Sequence, residues 1–193
     1  MQFAPDTQLA LQFVVALGNT VPEASDSGED ELVTQDQLTE LLDAEGYSGR
    51  RDRDAVELDE VRDTRTRLRR IWSLDRDAAA LDANAMLAEA GALPHLVRHD
   101  GLDWHLHATE PTAPLAERIR VEAAMALIDV IRSDATDRLR LCQADRCEAL
   151  LVDLSRNGSR RFCSERCGNR MHVTAYRERQ GAGEAAGQAV QAG

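Results

Sequence analysis

The sequence predicts an α+β protein in two parts: a mostly helical amino-terminal domain with one small β-hairpin, then a short cysteine-bearing module. Three observations predict it. Apolar residues recur at helical spacing over most of the first 137 positions, interrupted once by strict alternation. All four cysteines, Cys142, Cys147, Cys163 and Cys167, fall in the last third of the 193 residues. Charge divides the same way. From 138 to 180 ten Arg face five acids, so this stretch carries +5 in a chain of net charge −11, and the remainder carries −16.

Composition sets the outer bounds. At 43% hydrophobic and 30% charged the chain can bury a core, and with aromatics at 4% that core is aliphatic. An overall acidic balance excludes a whole-protein basic footprint for nucleic acid but leaves a local one open. All 23 basic residues are Arg, a bias that a GC-rich genome explains as readily as phosphate recognition does. No apolar run reaches the length of a membrane span, and the start has neither a basic nor an apolar leader segment. A soluble cytoplasmic protein is expected.

The first helix is expected to be capped by Asp6 and to end at Gly18, with Leu9, Phe13 and Leu17 inward. Residues 21–31, with Pro, Gly, Ser and an acidic run, read as a solvated loop. Thr34 and Gln37 form a capping-box pattern ahead of Leu38, Leu41 and Leu42, and Gly46 closes that helix. A longer helix spans 54–72, with Leu58, Val61, Leu68 and Ile71 inward, and another spans 77–89. Leu102, Trp104 and Leu106 then alternate with Asp103, His105 and His107 beside the Asp100-Gly101 turn signal. A two-residue turn there would put His95 and His99 on one face and His105 and His107 on the other, as ordinary packed or surface histidines. Beyond Pro114, Leu115, Ile119, Ala123, Leu127 and Ile131 mark a long helix over 115–133. The small, polar residues 181–193 are expected to be a disordered tail.

Cys142 and Cys147 enclose four residues, Cys163 and Cys167 three, and fifteen separate the pairs. Two close thiol pairs at this separation read as a tetrahedral four-sulfur zinc site, one structural Zn2+ with no open position. A redox dithiol would show C-x-x-C beside a βαβ pattern, which is missing, and four inert core cysteines so placed would be a coincidence. Between the pairs, 150–154 reads as a strand, Asn157-Gly158 as a hairpin turn and 160–162 as its return, with Ser164 capping a helix to about 179. Knuckle, hairpin and ligand-bearing helix make a treble-clef-like finger. Its candidate nucleic-acid contacts are Arg156, Arg160 and Arg161 at the turn and Arg166, Arg170 and Arg177 along the helix.

Leu154-Ser155-Arg156-Asn157-Gly158-Ser159-Arg160-Arg161-Phe162-Cys163 and Cys167-Gly168-Asn169-Arg170, with Arg138-Leu139-Arg140-Leu141-Cys142 before them, resemble the CGNR zinc-finger family. In that family the finger follows an ABATE domain, and members are regarded as stress-induced transcription regulators. The resemblance implies zinc at the four cysteines and DNA binding by the finger. Two departures stand out: three residues rather than four separate the last two cysteines, and Leu9-Ala10-Leu11-Gln12-Phe13-Val14 lacks the polar residues of the family's opening motif.

The resulting organisation is an ABATE-like domain over 1–137, a CGNR-type finger over 138–180 and the tail. The expected function is a DNA-binding transcription regulator that dimerises through its helical domain, with RNA an open alternative target. The alternative is a protein-interaction module whose Arg face docks an acidic partner or the chain's own acidic domain. With no phosphate loop, nucleophile motif or open metal position, an enzyme is not expected.

Overall fold

The computed structural model describes residues 3–98, 101 and 103–191, with side chains described for all of these except 178 and 180–191. Five helices and a hairpin build the first part: α1 (Pro5–Gly18), α2 (Gln35–Ala44), α3 (Ala55–Ile71), α4 (Arg76–Glu89), β1 (His95–Val97), β2 (His105–His107) and α5 (Leu115–Arg132). The second part follows a short 3-10 turn with β3 (Leu139–Leu141), β4 (Leu150–Val152) and α6 (Glu165–Gln191). This is the α+β class expected from the sequence.

The helix starts follow local chemistry. Thr34 and Gln37 close a full capping box, the Gln37 N–H donating to Thr34 Oγ1 at 3.2 Å and the Thr34 N–H to Gln37 Oε1 at 3.0 Å. Asp54 caps α3 through the Glu57 N–H, and Asp75 caps α4 through the Ala78 N–H, each at 2.8 Å. The start of α1 corrects the expectation. Pro5 occupies the first turn and Asp6 lies inside it, where its charge meets the positive helix end without capping. The buried face of α1 is correspondingly turned: Leu11, Phe13, Val14 and Leu17 pack inward, and Leu9 is 49% exposed.

Helix α5 is central and packs against α1, α3 and α4. Its buried Leu115, Ile119, Ala123, Leu127 and Val130 meet Leu58, Val61, Leu68 and Ile71 of α3 in one aliphatic core. Two buried guanidiniums tie irregular segments to that core. Arg65 of α3 forks onto the Asp30 carboxylate at 2.7 and 2.8 Å and donates to Thr20 Oγ1, so the acidic loop is pinned at one point. Arg118 of α5 donates to the carbonyls of Ser48, Arg50 and Ala113 and lies 5.4 Å over the Tyr47 ring.

The hairpin differs from the expected register by one residue. His95 pairs with His107, Leu96 with Leu106 and Val97 with His105. A one-residue slip exchanges faces. The histidines 95, 105 and 107 therefore share a face, whereas His105 and His107 had been expected to point away from His95. Leu96, Trp104 and Leu106 are exposed and His105 is buried. His99 and Asp100 of the expected turn lie outside the described residues.

The expected boundary at 137/138 is not a break in packing. Leu150 and Val152 of β4 belong to the same core as α1 and α5. Asn19 brackets Leu150, accepting its N–H at 2.7 Å and donating to its carbonyl at 3.0 Å. Trp72 Nε1 donates to the Leu151 carbonyl at 3.1 Å, and Arg69 spans the carbonyls of Gly18 and Glu148. Gly18 makes this docking possible, because a Cβ there would stand 2.6 Å from Leu150 Cδ1, and Leu150 is fully buried. Gly18→Ala is thus expected to lower stability by about 1–3 kcal/mol, the usual cost of overpacking. Urea titration followed by Trp fluorescence checks it, and an unchanged midpoint would refute the account.

Helix α6 runs past 179, and its backbone stays helical to Gln191 where a disordered tail was expected. The Ala, Glu and Gln that dominate 182–191 are strong helix formers, enough to prolong a helix already nucleated at Glu165. Among the described residues, no helix is long and apolar enough to cross a membrane.

Candidate metal centre and arginine surface

Strands β3 and β4 pair antiparallel, and the loop at their tip carries the first cysteine pair. The Cys142 N–H donates to the Ala149 carbonyl at 2.8 Å, extending the ladder, and the Cys147 N–H donates to Ala144 at 3.2 Å, making the knuckle. Arg146 sits at φ 57°, the left-handed position that turns Cys147 inward. The second pair begins α6. Ser164 Oγ accepts the Cys167 N–H at 3.3 Å as the helix cap, and Cys163 and Cys167 share one face four residues apart.

The expected hairpin between 150–154 and 160–162 is replaced by this β3–β4 pairing. The reason is Asp153, which is fully buried. Its Oδ1 accepts the Ser155 N–H and hydroxyl at 3.0 and 2.6 Å, and its Oδ2 accepts the Arg160 N–H at 2.8 Å and Arg140 Nη1 at 3.1 Å. One carboxylate thus satisfies donors that a strand ladder would otherwise occupy. The Asn157-Gly158 turn survives, with Gly158 at φ 60°. The Gln143 N–H donates to the Arg161 carbonyl, which fastens the returning chain beside the knuckle.

All four sulfurs lie within 4.8 Å of one another. Cys147 and Cys163 are 3.8 Å apart, Cys163 and Cys167 3.7 Å, and Cys167 and Cys147 3.8 Å. A disulfide would bring two sulfurs to about 2.05 Å. Four thiolates held about 2.3 Å from a tetrahedral ion would stand about 3.8 Å apart, so the donor set and its spacing fit such an ion. Ala144, Ala149, Phe162 and Met171 pack around the cluster.

Electrostatics within the centre are uneven. Burial pushes the Cys163 thiol far above its ordinary range, and its contacts with Cys142 and Cys167 push the same way. Cys147 is raised chiefly by burial. At Cys142 burial also raises, but the backbone N–H groups of Cys163 and Ala144 stabilise the thiolate and bring it below its usual value. Binding an ion must therefore displace protons, and the site's affinity falls as pH falls.

The six arginines singled out in the sequence are all exposed, but they are not alike. Arg160 donates to the carbonyls of Phe162 and Cys163 at 3.2 and 2.7 Å, bracing the second pair. Arg170 donates to the Asp145 carbonyl at 2.8 Å and approaches Cys167 Sγ at 3.7 Å, placing positive charge beside the thiolates. Arg166 reaches the amino-terminal part, 2.8 Å from Asp26. Arg156 at the turn, Arg161 over the Phe162 ring at 5.6 Å and Arg177 on α6 present their guanidiniums outward. Arg138 and Arg140, counted in the basic charge, point inward, to the carbonyls of Asp153 and Ser155 and of Gly158 and Arg160. Sequence reasoning missed these three inward residues, Arg138, Arg140 and Asp153. The available signal was a lone acid after three apolar strand residues, two positions before a Ser.

Known families account for both parts. The CGNR zinc-finger model matches residues 138–180, covering all four cysteines and the six arginines. The ABATE model, described as a putative stress-induced transcription regulator, matches residues 8–134, the helical part with its histidine hairpin. No curated protein matches the chain. With about two thirds of its length in the one model and its four-cysteine cluster in the other, the chain belongs to the ABATE family and carries a CGNR zinc finger as its second part.

Proposed function

We propose that the chain is a cytoplasmic DNA-binding transcription regulator responsive to stress, its finger held by one structural Zn2+ at Cys142, Cys147, Cys163 and Cys167. The helical domain serves sensing and dimerisation. The observation that carries the reading is the set of outward guanidiniums of Arg156, Arg161 and Arg177 beside the thiolate cluster, in a stretch of net charge +5. Arginine forks suit phosphate and the guanine edge. A binding role is favoured over catalysis because four thiolates fill a tetrahedral ion's positions. Three outward contacts per chain are few, and a dimer doubles them.

The test is a titration of zinc-loaded full-length protein against a random duplex pool at several salt concentrations, with single-stranded RNA as competitor. Binding is expected to fall with salt at a slope of roughly −0.9 per neutralised phosphate, about −2.7 for three contacts per chain. Changing Arg156, Arg161 and Arg177 to Ala should remove most of that slope with zinc content unchanged. Salt-independent binding, or binding retained by the triple variant, would sink the proposal.

A second reading has its own observation. Arg166 against Asp26, with the Glu148 N–H donating to the Glu23 carbonyl at 3.0 Å, supports docking of the Arg face on the chain's own acidic domain. Under that reading Asp26→Ala tightens binding to duplex; no change in affinity would leave the first reading alone.

A further inference from the structure

Arg170 carries one of the six charges expected to face nucleic acid, yet its guanidinium is engaged at the cysteine cluster. It lies three residues after Cys167 on α6, which puts both side chains on one side of the helix. One nitrogen, Nη2, reaches two parts of the centre at once. It donates to the Asp145 carbonyl at 2.8 Å and stands 3.7 Å from Cys167 Sγ. Nη2 bears two hydrogens, so a single amino group serves both acceptors. Asp145 lies in the first knuckle, between Cys142 and Cys147, and its N–H donates to Met171 Sδ at 3.4 Å. Adjacent residues of α6 thus hold the first cysteine pair against the second.

Electrostatics give that contact its consequence. Four thiolates around one divalent ion leave a net charge of about −2 on the cluster. Cys167 is 5% exposed, so water screens its sulfur poorly and a charge in direct contact counts for more. Cys142 Sγ accepts a neutral donor, the Cys163 N–H at 3.4 Å, whereas Cys167 Sγ meets a cation. Resting on the zinc reading of the site, we propose that Arg170 is a positioning residue of the metal centre and not a nucleic-acid contact. Its charge offsets the excess negative charge of the sulfurs, and its bond to Asp145 keeps the two cysteine pairs together. Partners that support metal ligands from outside typically contribute about 10–100-fold in metal affinity.

The test compares the full-length parent with Arg170→Ala, Arg170→Gln, Arg170→Lys and Arg179→Gln, the last removing a different exposed charge from α6. Zinc transfer to a chromogenic chelator is measured, and the Co2+-substituted chains are read by absorption. Arg170→Ala and Arg170→Gln should lose zinc to the chelator at about 10–100-fold lower chelator concentration. Arg170→Lys should recover part of that loss, and Arg179→Gln should match the parent. The sulfur-to-Co2+ charge-transfer band should move to lower energy without the guanidinium, because the sulfur electrons lose a stabilising cation. A residue that only ties the knuckle would leave that band in place. Arg170→Gln, which keeps an amide donor without the charge, decides the matter if Arg170→Ala does not fold. An unmoved band, zinc retention equal to the parent's, or a loss shared by Arg179→Gln would each overturn the proposal. A parent chain that takes up neither Zn2+ nor Co2+ would overturn the zinc reading itself, and this assignment with it.

Discussion

Cys167→Ser is expected to abolish stable ion binding and to unfold far more than the finger. The sulfur is buried and stands 3.7 and 3.8 Å from those of Cys163 and Cys147, so a hydroxyl there cannot complete a thiolate tetrahedron. Apparent zinc contributions to small fingers are about 10–16 kcal/mol, comparable with the roughly 5–15 kcal/mol that holds a whole domain. Losing the ion frees the loop between β3 and β4, and β4 carries Leu150 and Val152 into the core of α1 and α5. The expected result is loss of hydrogen-exchange protection at the Leu150 amide, which donates to Asn19 Oδ1, together with a lower unfolding midpoint for the helices. A chelator on the unaltered protein should reproduce it. Protection at Leu150 that outlasts metal removal would show that the helical part holds β4 unaided.

The second large effect is at Asp153. Replacing it by Ala strands the Arg140 guanidinium and the N–H groups of Ser155 and Arg160, and breaking such a buried pair typically costs about 3–5 kcal/mol. Thermal unfolding should move down accordingly, and Asp153→Asn, which keeps the acceptor oxygen but not the charge, should recover part of the loss. The same carboxylate predicts behaviour in acid. Burial alone would raise it, but the bonds from Ser155 and Arg160 and the charge of Arg140 hold it below the ordinary carboxylate range. Asp30 is held down chiefly by Arg65, and Asp82 likewise by Arg70 and Arg67 against the effect of burial. A carboxyl whose folded pKa is depressed stabilises fully above its unfolded value, about 3.9, and loses that contribution as pH falls through the folded value. The contribution of these carboxylates should therefore hold down to about pH 4 and drop below it, with a shallower drop in Asp153→Ala. A variant with the same acid profile as the parent would refute the assignment.

The helices and the clustering of the four cysteines were legible because each rests on local pattern. Thr34 and Gln37, Asp54, and the stripe from Leu115 to Leu127 act within a few residues, and cysteine spacing carries the metal centre whatever surrounds it. What stayed hidden depends on distant partners. The hairpin register turned on one residue, and the expected pairing set His105 and His107 on the face away from His95 where the structure places all three on one face. Asp153 displaced the strand pairing expected around Asn157-Gly158, because a buried carboxylate answers donors from several segments at once. The arginines show the same limit. Their sum was readable, but Arg138 and Arg140 are consumed inside the finger, and only coordinates separate an inward guanidinium from an outward one.

The seating of Leu150 against Gly18 bears on how the chain is made. A ribosome delivers the five amino-terminal helices before it delivers the strand that finishes their core, so they must wait, incompletely packed, for residue 152 to emerge. Completion then falls to a segment whose own order is set by thiols still to come at 163 and 167. With the finger held by an ion as proposed, maturation is gated late, and a cell short of that ion is expected to accumulate unfinished chains for its proteases to clear instead of a folded, unmetallated reserve.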